Sequence, residues 1–421
     1  MFKKSTLENG LRIITRRMPD MQSVSLGIWI KVGGRYENDN DKGISHFIEH
    51  LLFKGTKKYS CRAIKESIEG VGGSLNGFTS EELTCYLVKM PSNYLELALD
   101  ILSDMVIDPV FPPLEVEKEK QVILEEIKMY RDQPQSYVHE LLDALLWPDQ
   151  PLGIPIIGSP ESVSRINRKD LLSFKSRAYT PMNIVVSCAG VVDEDKLARS
   201  VAKRFRGLKT TDINTFSAAR QSQEEPRLKI FHKDTEQTHL AMGFHAFRRD
   251  HPLKYAVGLL HVILGGNMSS RLFNELREKR GLAYEIGTQV RRFHDTGSFQ
   301  VHAGIDNRKV GQSLDLIRKE LDKAAKMPVR PDEFKRAKEF YLGQLSLAME
   351  ETMDSMLWLG ESMVTLNKTF TLEQIVREVR QVTRADLREV ARQIFKPSRV
   401  NLALVGPETI KQDEIYRHLI L

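Results

Sequence analysis

The chain has 421 residues, of which 41% are hydrophobic and 28% charged, with a formal net charge of +6 at pH 7. These fractions exclude a disordered chain, and the length exceeds one ordinary core and suits two domains. The positive charge is spread without a Lys/Arg block, which excludes a nucleic-acid partner, and no apolar run is long enough to span a membrane.

The first segment, MFKKSTLENGLRIITRR, has neither an apolar secretory core nor a long Arg/Ser-rich transit stretch. Cys61, Cys85 and Cys188 are odd in number, far apart and form no CxxC pair. The expectation is a cytoplasmic protein with reduced thiols, Cys85 and Cys188 serving as small core residues.

Leu11-Arg-Ile-Ile-Thr and the run SVSLGIWIKV at 23–32 read as two strands. Next comes His46-Phe-Ile-Glu49-His50. Positions i, i+3 and i+4 share a helix face, so two imidazoles and a carboxylate converge there. Two histidines one turn apart make a natural zinc pair, and the carboxylate beside them suits a base. The order is HxxEH, the reverse of HExxH.

Residues 72–86, GGSLNGFTSEELTCY, read on their own as an ordinary hairpin. Pro112-Pro113 then opens a helix with an apolar stripe through Val116, Val122, Ile123, Ile127 and Tyr130, ending near Pro134. A catalytic zinc takes three protein ligands and leaves one position open. This helix is the best donor of the third, and helical geometry alone leaves Glu125 and Glu126 as rivals.

The chain is written twice. Asn167-Arg-Lys-Asp170-Leu leads to Tyr179, Pro181 and an apolar strand closed by Gly190, and Thr383-Arg-Ala-Asp386-Leu leads likewise to Phe395, Pro397 and Gly406. Leu228-Lys-Ile-Phe-His and THLAMGFHAF at 238–247 repeat the first two strands, with Gly243 matching Gly27. Each half reads β-β-α…α-β, an α+β arrangement with helices covering a sheet. The expected domains are 1–208 and 227–421, joined by a polar linker at 209–226. A gapless match lays His46–His50 onto Val262-Ile-Leu-Gly-Gly266, so the second copy lacks the metal motif.

With these features together, the chain resembles the pitrilysin/insulinase/mitochondrial processing peptidase superfamily of zinc metallopeptidases over nearly its whole length. That resemblance implies two homologous α/β-sandwich domains forming half of a clamshell. In that family a carboxylate about 76 residues after HxxEH binds zinc. Glu126 lies 76 residues after His50. The implied ligands of one Zn²⁺ per chain are therefore His46, His50 and Glu126. Glu119 becomes a carboxylate that hydrogen-bonds a ligand histidine or the water, and Glu49 the general base on the metal-bound water. The 72–86 segment resembles the family's active-site edge strand, which implicates Asn76, Phe78, Thr79 and Ser80 in substrate binding. Gly77 stands where the family usually has Ala.

In the second half, SRLF at 270–273, Leu276-Arg277-Glu and Gly281-Leu-Ala-Tyr284 are similar to the family's SRLF…LRE…GLAY stretch. The resemblance gives Arg277 a role in holding substrate and Tyr284 one in donating to the oxyanion. The short Gly265-Gly266-Asn267 matches catalytic members or small bacterial homologues. The implied protein is a zinc endopeptidase acting on peptides or unfolded segments. It pairs as a homodimer, each site completed by the partner's Arg277 and Tyr284. The alternatives are the catalytic subunit of a presequence processing peptidase, or a non-catalytic core paralogue, against which the intact ligand set speaks.

Overall fold

In the computed structural model, which describes residues 2–210 and 212–420, each half of the chain builds its own mixed sheet. Met1 and Leu421 at the outer ends of the expected domains, and Thr211 in the expected linker, lie outside the described residues. The first sheet contains β1 (Lys3–Thr6), β2 (Arg12–Arg17), β3 (Ser23–Ile30), β4 (Ser74–Thr79), β5 (Thr84–Pro91) and β6 (Ile184–Gly190), in the order β1-β2-β6-β3-β5-β4. β2 and β6 are parallel and the other neighbours antiparallel. β4 is therefore an edge, as the resemblance implies.

β3 is buried from Val24 to Ile30 because both its faces are covered. Val24, Leu26, Ile28 and Ile30 turn to a core shared with Phe47, Ile48 and Leu51 of α1 (Ile44–Leu52). Ile64 and Ile68 of α2 (Cys61–Glu69), Leu102 and Met105 of α3 (Leu95–Ile107), and Val116, Ile123 and Ile127 of α4 (Pro113–Asp132) complete it. Trp29, on the opposite face of β3, packs with Ile14, Cys85 and Val185 against Met356, Leu359 and Met363 of the helix Thr352–Leu366.

α5 (Pro134–Leu146) lies in the first half of the sequence, and the second half gives β7 (Arg227–His232), β8 (Gln237–Ala246), β9 (Ala283–Arg292), β10 (Gly297–Asp306) and β11 (Asn401–Gly406). The sheet order β7-β11-β8-β10-β9 repeats β2-β6-β3-β5-β4 strand for strand, including the parallel pair β7/β11. The matched rear segments fold alike. Asn167 and Thr383 each cap a helix through a reciprocal capping box, with Asp170 and Asp386 returning the bond. The strands β6 and β11 follow.

The units are not contiguous in sequence. One comprises Met1–Ile127, Pro155–Ser217 and Ser346–Thr371; the other comprises Lys128–Ile154, Ala218–Leu345 and Leu372–Leu421. The chain thus crosses after Ile127, Ile154, Ser217, Leu345 and Thr371, where the sequence suggests a single crossing within 209–226. Each sheet is closed by a helix from the other half of the sequence, Thr352–Leu366 on the first and α5 on the second. The matched glycines make room for them: a Cβ on Gly27 would stand 2.5 Å from Met356 Sδ, and one on Gly243 would stand 3.0 Å from Leu142.

Gly360 of the closing helix lies against the indole of Trp29, which is pinned by a 2.7 Å bond from Nε1 to Ser187 Oγ. A methyl there would overlap the ring. Gly360→Ala is expected to cost about 1–3 kcal/mol through overpacking, read as a lower thermal midpoint than wild type. An unchanged midpoint would mean that the helix can slide away from Trp29.

Two local expectations need correction. In α4, Val122 and Tyr130 are 48% and 37% exposed, because only the stripe Val116–Ile123–Ile127 meets the sheet. The gapless repeat also fails between β8 and the next helix. That helix spans Lys254–Leu264, so it starts closer to its preceding strand than α1 does and ends at Leu264, before Gly265 and Gly266. Among the described residues no helix is long and apolar enough to cross a membrane.

Candidate metal centre

The site begins with how α1 is held. Its N-cap is Gly43, at φ +92°, a conformation in which a side chain would be strained. Gly43 offers no capping side chain, and Glu37 supplies the acceptor from outside the helix. Glu37 Oε2 accepts from Gly43 N at 2.9 Å and Oε1 from Ser45 N at 2.8 Å. A carboxylate is favoured at this positive end of the helix. Burial nevertheless pushes the Glu37 carboxyl up to about 7, against the pull of those bonds and of Lys42.

So anchored, α1 presents His46, Glu49 and His50 to α4. The His46 and His50 rings lie 4.5 Å apart, centroid to centroid. Glu126 Oε2 lies 3.6 Å from His50 Nε2 and 3.9 Å from His46 Nε2. One ligand atom from each residue falls within 4.8 Å of the others, the only such grouping of three His, Cys, Asp or Glu among the described residues. Ligand atoms about 2.0–2.2 Å from a tetrahedral Zn²⁺ sit roughly 3.3 Å from one another. The observed spacing is slightly wider, within reach of small side-chain rotations, and the N₂O donor set suits zinc. Glu125 is exposed on α4 and lies outside this grouping.

The surroundings set the two imidazoles apart. Burial, and then the neighbouring His50, depress His46 to about 3, so its imidazole is neutral. His50 behaves oppositely. Burial disfavours its charge, but the bond to Glu119 and the carboxylates of Glu49 and Glu126 outweigh it and raise the ring. His50 Nδ1 lies 3.1 Å from Glu119 Oε2, an arrangement that leaves Nε2 facing Glu126. Lys54 Nζ holds the other Glu119 oxygen at 2.5 Å. Burial works against the Glu119 carboxylate, yet His50 and Lys54 keep it below its ordinary value. Burial raises both Glu126 and Glu49.

Glu49 sits beside the ligand set. Its Oε2 accepts a 2.9 Å bond from Thr79 Oγ1. Thr79 and Gly77 lie on the β4 face toward α1, whereas Asn76 and Phe78 alternate to the opposite face, where Phe78 meets Trp29 edge-on at 5.8 Å. Ser80 closes the β4–β5 turn, its Oγ donating to Leu83 O. Of the four expected substrate residues, then, only Thr79 turns its side chain to Glu49.

Arg277 and Tyr284 come together in the second unit. The Arg277 guanidinium lies 5.1 Å from the Tyr284 ring and 4.8 Å from that of Phe273. Tyr284, on β9, is 75% exposed beside a cavity of about 420 Å³ also lined by Gln237 and Asp306. Sequence reasoning missed Glu37 and Lys54. Lys54 stands one helical turn beyond His50, which was a usable signal. Nothing in periodicity singles out Glu37.

Comparison with known proteins agrees with this geometry. The sequence model described as Insulinase (Peptidase family M16) matches residues 12–160, and the one described as Peptidase M16 inactive domain matches residues 165–341. The Bacillus subtilis protein named uncharacterized zinc protease YmxG is 35% identical over 97% of this chain and 98% of its own. The Mycobacterium tuberculosis uncharacterized zinc protease Rv2782c is 36% identical over 97% of this chain and 94% of its own. Among solved structures, a protease from Helicobacter pylori superposes with a TM-score of 0.92 at 24% identity, covering 97% of this chain and 99% of that one. The two-domain fold, the His-His-Glu cluster and whole-length relatives at 35% identity agree: the chain belongs to peptidase family M16.

Proposed function

We propose that the chain is a zinc-dependent endopeptidase acting on peptides or unfolded segments. The observation that carries this reading is the convergence of His46, His50 and Glu126 with Glu49 alongside. The three ligands would hold one Zn²⁺ per chain, and the ion would supply Lewis acidity toward a peptide carbonyl. Glu49 takes a proton from the attacking water and passes it to the leaving amine. The open edge of β4 hydrogen-bonds an extended substrate through its backbone, which recognises peptide without demanding a particular sequence. Arg277 grips a substrate carbonyl or carboxylate and Tyr284 donates to the oxyanion. In this reading both act from the partner chain of a homodimer, consistent with the open exposure of Tyr284.

The test is to map cuts in a random peptide library by mass spectrometry, with and without chelator. Cleavage is expected to vanish with chelator and return with added zinc. Cleavage indifferent to chelator, or none with any divalent metal, would overturn the reading.

A further inference from the structure

We propose that Thr79 is the positioning residue of Glu49, fixing the carboxylate that moves the proton, and does not act by contacting substrate. The inference rests on the reading of Glu49 as the base. β4 alternates strictly: Ser74, Asn76 and Phe78 are exposed, while Leu75, Gly77 and Thr79 are partly buried on the side of α1. Thr79 Oγ1 donates to Glu49 Oε2 at 2.9 Å. That bond ties one carboxylate oxygen of Glu49 to the strand.

The donor is itself held. β-Branching restricts the Thr79 side chain to few rotamers. Its register partner on β5 is Thr84, whose hydroxyl donates to Val32 O at 2.9 Å and lies 3.5 Å from Thr79 Oγ1. The strand does little else to orient Glu49. At Gly77, a Cβ would reach to 3.4 Å from Glu49 Cγ and 3.0 Å from the Phe53 ring, and that methyl is absent. The Glu49 side chain thus lacks a methyl contact there, and the bond from Thr79 does the holding. With its hydroxyl hydrogen committed to Glu49, the Thr79 side chain has no donor left for a peptide.

Thr79→Val keeps the shape and deletes the hydroxyl; Thr79→Ser keeps the hydroxyl. Measured beside wild type, T79V is expected to lose about 10–100-fold in kcat, the range for a bond to a charged group. KM and zinc affinity should stay within about twofold of wild type, and T79S should recover most of kcat. An effect on KM alone would make Thr79 a substrate contact and overturn the proposal, as would full activity in T79V. Crystal structures of both variants give a readout that does not depend on turnover. The Glu49 carboxylate should leave its position in T79V and keep it in T79S, and an unmoved Glu49 in T79V would sink the proposal even were wild type inactive. Absent wild-type cleavage would instead count against the peptidase reading.

Discussion

Glu49→Gln is expected to lower kcat by about 10²–10⁴-fold, the usual contribution of a positioned acid–base group, with zinc still bound. The substitution isolates proton transfer. Gln has the shape of Glu, and its amide oxygen can still accept from Thr79 Oγ1, so the local geometry survives. Glu49 is not among the three residues whose ligand atoms converge, so the metal loses no donor. What disappears is basicity. Burial raises the Glu49 carboxyl from its ordinary value, against the pull of Thr79 and His50, which brings it nearer to the range where a base is effective. Cleavage by E49Q at near wild-type rate would remove Glu49 from the mechanism. The same variant tests the shared site. In a two-fold dimer assembled at random from E49Q and Y284F chains, half the dimers are mixed and one of their two sites is intact. About a quarter of wild-type activity should return. No recovery in mixed dimers would mean that Tyr284 does not act in trans.

Much of this site was legible because its elements are local. The spacing His46-x-x-Glu49-His50 needs only helical geometry, and α1 supplies it. Glu126 was harder, since the helix alone admitted Glu125 and the resemblance had to choose. The duplicated sheet was legible from matched strands, capping residues and prolines, which are again local signals. Which sheet a helix covers is not local. α5 and the helix Thr352–Leu366 each carry an ordinary apolar face, and nothing in their periodicity assigns α5 to the second sheet or the later helix to the first. The apolar stripe of α4 was overread for a related reason: Val122 and Tyr130 satisfy the pattern without meeting the sheet. Thr79 shows the limit at a finer scale. Its strand was recognisable, but the face it turns to α1 follows from the register of β4 on β5.

His50→Ala is expected to abolish stoichiometric zinc, because His50 enters the site from two directions. Nε2 stands 3.6 Å from Glu126 Oε2 within the ligand set, while Nδ1 ties the ring to Glu119, itself clamped by Lys54. Removing the ring leaves His46 and Glu126, one ligand short of the three that a catalytic zinc takes. Glu119→Ala is the graded counterpart. It spares all three ligands and removes only the group that fixes the orientation of His50, so zinc affinity should fall about 10–100-fold without being lost. Glu125→Gln, on the exposed side of α4, should bind zinc like wild type. Metal analysis after dialysis and competition with a chromogenic chelator would rank the three variants. Stoichiometric zinc in H50A would place the ion elsewhere. Equal affinities for E119A and wild type would mean that the packing of α1 against β4 and α4, with Glu37 at its start, already orients His50 without help from the carboxylate.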